Sequence, residues 1–267
     1  MKRDGILKSR LWGVLLLAAS CGRLAAEASA ADVAAFNSYV RGVEDRLELQ
    51  HRSSVAFLAG MRAENDAQVR RGDFLMERVP VNGASLQGAM LHDWRGTAFA
   101  PGAKAVDFER VMRNFANYPR WYAPEVVSAK TVSQQGDFVQ ASMRVRQKHV
   151  ITVVMDTSYD IQFGRLDAQR GWSASRSTRV NEVDGAGTPR ERVLGPSEEH
   201  GFLWRLNTYW SYEERDGVLY LQVEAVSLTR AVPRGLGWAV GPYVESIPRE
   251  SLEFTLRATC AALKGSK

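Results

Sequence analysis

Few side chains in this sequence are spaced for chemistry. The four histidines, His51, His92, His149 and His200, form neither an HExxH motif nor any pair at metal-ligand spacing. Two cysteines, Cys21 and Cys260, complete no zinc set. A GxSxG elbow, a P-loop and a GxGxxG ahead of a helix are all missing. Glu198, Glu199 and His200 cluster at a loop-to-strand boundary, which reads more readily as a solvated loop than as an acid–base pair. These residues call for no metal and no cofactor.

Arg176 stands out among the polar residues. It shares strand parity with Trp172, Ala174, Thr178 and Val180, so if that set faces inward Arg176 does too. A buried guanidinium needs a carboxylate, a set of carbonyls or an anionic ligand head. The alternative is a rim position from which the side chain snorkels to water.

The element that would present a binding surface is a hairpin at Asp216-Gly217. A two-residue Asp-Gly loop favours a type I′ turn, because glycine accepts positive φ and the turn's twist matches the flanking strands. That loop sets Tyr212 opposite Leu221, Trp210 opposite Val223, Thr208 opposite Ala225, Leu206 opposite Ser227 and Trp204 opposite Thr229. This face is mostly apolar and aromatic, with small residues between. The other carries Glu213/Tyr220, Ser211/Gln222, Tyr209/Glu224, Asn207/Val226 and Arg205/Leu228, and is expected to be wet. Candidate ligand-facing residues are therefore Trp204, Leu206, Thr208, Trp210 and Tyr212, joined by Tyr159 and Arg176 on neighbouring strands.

Upstream, strands are expected over Met90–Ala100, Val126–Val132, Phe138–Gln147, Val150–Phe163 and Trp172–Val183, an antiparallel meander rather than βαβ units. A helix over Ala105–Phe115 ends before Pro119. The last helix is expected to start at Pro248, with Leu252, Leu256, Thr259, Cys260 and Leu263 as its apolar stripe. Leu252 and Leu256 join the candidate ligand contacts. Residues 231–246, rich in Gly and Pro, read either as a lid over a cavity or as a packed loop. Val33, Phe36, Val40, Val43 and Leu47 mark an amphipathic helix over Asp32–Gln50, and residues 51–90 read as a connecting arm.

The N-terminus reads as an export signal. Lys2, Arg3, Lys8 and Arg10 precede the apolar run Leu11–Ala19, and Ala28-Ser29-Ala30 forms a small-x-small cleavage site. The run is too short to span a bilayer, so no transmembrane helix is expected after processing. Cys21 after Ala18-Ala19-Ser20 resembles a lipoprotein site with its leucine, Leu17, one place too far back. The expected location is periplasmic or secreted, with a membrane-anchored lipoprotein as the alternative. Processing at Ala30 leaves Cys260 as the only thiol, expected to be buried and inert. Of the 35 basic and 30 acidic residues, five and two lie in positions 1–30, leaving 30 against 28. That balance is too even to imply a nucleic-acid partner, and with no RNA-module motif present none is expected.

The strings HDWRGTAF, NYPRWYAPEV, KHVITVVMDTSYDI, HGFLWRLNTYWSYEERDG, EAVSLTRAVPRGLGW and PRESLEF resemble a bacterial branch of the START/Bet v 1-like (SRPBCC) superfamily over residues 88–264. The resemblance implies an α+β helix-grip fold: a curved antiparallel sheet wrapped around a long C-terminal helix, here with an N-terminal helical arm. The domain plan is a signal peptide over 1–30, an arm over 31–87 and the START-like domain over 88–264. An internal cavity for an apolar small molecule (lipid, sterol-like or aromatic) is implied too. A cyclase- or hydrolase-type enzyme using that cavity, and an envelope interaction module with a filled cavity, are the alternatives. Fold analogy by itself does not fix function.

Overall fold

The computed structural model describes residues 27–53, 56–148, 151–232 and 237–265, without the side chains of 237–245. The apolar run Leu11–Ala19 and Cys21 lie outside the described residues, as does most of the expected export signal.

Helix α1 spans Ala30–His51. Ser29 caps it, its hydroxyl accepting from the Asp32 amide at 3.0 Å. The Asp32 carboxylate in turn accepts from the Gln87 amide at 2.8 Å, fixing the start of α1 to the chain that enters the sheet. The predicted stripe is the buried one: Phe36, Val40, Val43 and Leu47. Full burial of such side chains contributes roughly 1.5–3 kcal/mol each.

The segment read as an arm holds a short helix, α2 (Ala63–Arg70), and strand β1 (Leu75–Arg78), which pairs with β2 (Ala89–Ala100). Helix α3 (Ala105–Arg113) follows, with Asp107 accepting from the Lys104 amide at 3.0 Å, and then the short α4 (Tyr118–Trp121). Strands β3 (Val126–Gln135), β4 (Phe138–Lys148), β5 (Thr152–Arg165) and β6 (Arg170–Asp184) form the predicted meander. The two-residue β7 (Arg192–Val193) pairs with β6, and β8 (Arg205–Arg215) and β9 (Val218–Arg230) make the hairpin. The sheet order is β1-β2-β9-β8-β6-β5-β4-β3, antiparallel throughout.

The hairpin has the register its turn dictates. Trp210 pairs with Val223 and Thr208 with Ala225, and φ is 51° at Asp216 and 73° at Gly217.

Two expectations are corrected. The last helix, α5, spans Gly237–Gly265, so it begins eleven residues before Pro248 and absorbs most of the segment read as a lid or loop. Proline's preference for a first turn is a local bias, and a helix that continues from both sides overrides it. Residues 233–236 of that segment lie outside the described residues.

The second correction concerns the face expected to be wet. Tyr209, Val226 and Leu228 pack against the α1 stripe in one buried cluster with Leu91 and Ala174. The sheet is therefore covered on both faces, by α1 outside and by α3, α4 and α5 inside.

Candidate functional site

The inner face is filled at one end. Across the strands Ser173, Trp210, Val223 and Gly96 form one cross-strand row, and all four are buried. Leu256 and Leu252 of α5 close on this end with Leu221, Val223 and Tyr212. Phe108 of α3 lies 5.3 Å, ring centre to ring centre, from Trp210 and 4.9 Å from Tyr212. A second cluster on the same face joins Tyr159, Ile161 and Phe163 to Tyr118, Tyr122 and Ala258.

One pleat further along, burial falls off. Ser175 pairs with Thr208, Thr208 with Ala225 and Ala225 with Trp94, a straight row across β6, β8, β9 and β2. All four are half-buried although they sit in the middle of the sheet. Leu206 and Met143 on the same face are half-buried as well. This less buried stretch of the concave face, with small Ser175, Thr208 and Ala225 alongside Trp94, Leu206 and Met143, is the candidate hollow.

The hydroxyls in this hollow differ in their partners. Ser177 Oγ accepts from the Leu206 amide at 2.9 Å. Thr229 Oγ1 lies 3.4 Å from His92 Nε2. Ser175, Thr208 and Ser227 make no side-chain hydrogen bond among the described residues, and Ser227 is only 7% exposed. Trp94 Nε1 is buried and without a partner among the described residues.

The reverse of the same strand segments carries charge. Glu224 is gripped by Arg46 of α1 and by Arg95, whose Nε donates at 3.0 Å. Asp93 accepts from Tyr39 Oη of α1 at 2.7 Å. Burial, with Glu224 nearby, pushes the Asp93 carboxyl up to about 7. Asp93 Oδ1 and Arg46 Nη1 stay unpaired among the described residues. At the end of α1, His51 Nε2 lies 2.8 Å from Ser211 Oγ, and burial lowers His51 to about 4, leaving it neutral.

The candidate residues now fall into three groups. Leu206 and Thr208 line the hollow. Trp210, Tyr212, Tyr159, Leu252 and Leu256 face inward but belong to the packed clusters beside it. Trp204 and Arg176 do not face inward at all, which corrects the expectation. Trp204 precedes β8, so strand alternation does not govern it, and it packs with the α1 cluster. Arg176 Nε donates to Glu44 of α1 at 2.6 Å, and Glu44 also accepts from Tyr209 Oη at 2.9 Å. The carboxylate beside this half-exposed Arg comes from α1, not from a ligand. Ser175, Trp94 and Met143 escaped the sequence reading, which sets Ser227 on this face without naming it a ligand contact. Their signal was the alternation of Ser173, Ser175 and Ser177 opposite the aromatic β8 face.

Other polar clusters are used up internally. Glu182 accepts from the amides of His200, Gly201 and Phe202 at 2.9, 2.9 and 3.0 Å and contacts His200 Nδ1 at 2.7 Å. Glu199 is buried against Asn181 and the Glu182 amide, so the expected solvated loop is in fact an anchored one. A cleft of about 360 Å³ at Arg95, Glu77 and Met76, and one of about 280 Å³ at Glu109, Arg113 and Arg165, hold charges that already pair with one another. Among the described residues no three His, Cys, Asp or Glu side chains converge for a metal. Cys260 is buried, and burial raises its thiol to about 11.

A long antiparallel sheet bent over the terminal helix, in this element order, decides the architecture. The fold is an α+β helix grip. Solved structures similar to this helix-grip chain include a Thermus thermophilus protein, with 13% identity, a TM-score of 0.46, and 65% of this chain and 97% of that one covered. Another is a STAR-related lipid transfer protein fragment from Xanthomonas axonopodis, with 15% identity, a TM-score of 0.44, and 71% and 98% covered. A third is the Zhui aromatase/cyclase from a Streptomyces species, with 14% identity, a TM-score of 0.41, and 66% and 94% covered. No family model and no curated protein matches the sequence. Likeness at this level says nothing of ligand or reaction.

Proposed function

We propose that this protein binds an apolar small molecule in the hollow between the concave sheet face and α5. The half-buried row Ser175–Thr208–Ala225–Trp94 supports this reading, because interiors are close-packed and a mid-sheet row facing a helix is ordinarily more deeply buried. The hollow offers aromatic and aliphatic walls around a small-residue floor.

Titration with an apolar fluorophore tests this. Saturable change in tryptophan emission is expected, since Trp94 borders the hollow. Ala225→Phe should fill the floor and abolish that response while the far-UV circular dichroism stays unchanged. An unaltered titration in the variant would count against the hollow as the binding place.

Export is proposed on the N-terminal pattern alone, with the mature chain starting at Ala31 in the periplasm or outside the cell. N-terminal sequencing of the protein recovered from its native host should begin with Ala31. An intact Met1 would overturn export.

A further inference from the structure

From the distribution of polar groups around the hollow we infer that its ligand is uncharged and carries a hydroxyl or carbonyl oxygen, held by Ser175, Thr208 and Ser227. The inference rests on the hollow being a binding place.

Charge and hydroxyl are segregated across this sheet. Over the central strand segments the inner face carries Met90, His92, Trp94, Ala225, Ser227, Thr229, Leu206, Thr208 and Ser175, with no Asp, Glu, Lys or Arg. Asp93, Arg95, Glu224 and Arg176, their immediate neighbours in sequence, all face outward to α1 or its flank. A bulge at Thr178 turns Glu182 to the inner side, but the three amides and the imidazole of the 200–202 loop occupy it. An ionised head seated on this floor would meet no carboxylate, ammonium or guanidinium from these strand segments, only the His92 imidazole at its edge, and desolvating it is costly.

Hydroxyls, by contrast, are in surplus. Ser175 stands directly opposite Thr208, and Ser227 lies opposite Leu206, one pleat from Thr208. None of the three has a side-chain hydrogen bond among the described residues, while the neighbouring Ser177 and Thr229 do. Ser227 is 7% exposed, and its hydroxyl, which has no protein partner among the described residues, retains some accessible surface. Each hydroxyl both donates and accepts, so an alcohol or carbonyl oxygen satisfies the group without a proton or a counter-charge. Trp94 Nε1 adds a donor at the edge of the same row.

Three probes of one shape and different heads test this: naphthalene, 2-naphthol and 2-naphthoate, titrated by calorimetry at neutral pH. The wild-type protein should bind naphthol roughly three- to tenfold more tightly than naphthalene, the worth of one or two net hydrogen bonds, and naphthoate more weakly than either. Thr208→Val keeps the side chain's shape and should erase most of naphthol's advantage while leaving naphthalene affinity in place. Ser175→Ala, a smaller change, should act in the same direction if the valine variant misfolds. Equal affinity for naphthol and naphthalene, preference for naphthoate, or an undiminished advantage in the folded variants would overturn this inference and spare the hollow. Saturable binding of none of the three would overturn the binding reading itself, and this inference with it.

Discussion

Leu256 of α5 rests on Gly96 of β2, where an added Cβ would lie 2.4 Å from Leu256 Cδ1. The missing side chain is what lets the terminal helix approach the sheet closely at the filled end of the concave face. Gly96→Val should force the helix outward and destabilise the protein by about 1–3 kcal/mol through overpacking. Urea denaturation at constant m-value measures this, and an unchanged midpoint would mean that Leu256 has room to turn aside.

Trp210, read from sequence as a ligand contact, is 4% exposed and packed on Phe108. Trp210→Ala is expected to cost roughly 3–5 kcal/mol of stability. If chemical denaturation showed a loss below about 1 kcal/mol with a large loss of probe binding, Trp210 would belong to the hollow after all.

Asp93 makes stability depend on pH. Its folded-state pKa, raised by burial and by Glu224, lies above the unfolded value, so the native state holds the proton more tightly. The associated stabilisation is complete below the ordinary carboxylate range, near 3.8, and is lost as pH rises through about 7. Asp93→Asn, a neutral stand-in for the protonated acid, should therefore gain stability relative to the wild type between about pH 5 and roughly pH 8. Parallel denaturation curves of the two proteins across that range would contradict the assignment. Hydrogen exchange of residues 30–51 should follow the same trend, because Tyr39 carries the α1 side of the contact.

Arg176 should matter to α1 and not to the ligand. Its side chain is 43% exposed and that of Glu44 28%, so the pair contributes at most about 1 kcal/mol. Arg176→Gln is expected to speed amide exchange in α1 while apolar probe affinity stays within error. A selective loss of probe binding would return Arg176 to the ligand site.

The hairpin offers a purely conformational test. No atom stands within 4 Å of where a Gly217 Cβ would be, yet φ there is 73°. Gly217→Val should destabilise by more than about 1 kcal/mol from backbone strain alone. An unchanged melting temperature would show that the turn relaxes without cost.

What is local was legible before any folding was considered. Asp216-Gly217 sets the turn, the turn sets the register, and a period of two assigns Leu206, Thr208, Trp210 and Tyr212 to one face. The stripe of α1 was legible for the same reason, since a 3.6-residue period needs no partner to be seen. Alternation, however, says only that two faces differ, not that one is wet. Tyr209, Gln222 and Glu224 look solvent-facing in sequence, yet they are buried because partners far along the chain satisfy them: Glu44, Ala59 and Arg46. Where the concave face is filled and where it is open is likewise a matter of long-range packing. Trp210 and Thr208 are two residues apart on one strand and one face, yet Trp210 is buried under Phe108 and Leu256 while Thr208 is half-buried. That burial depends on Gly96 meeting Leu256, a contact between residues 160 positions apart, and no periodicity within either element encodes it.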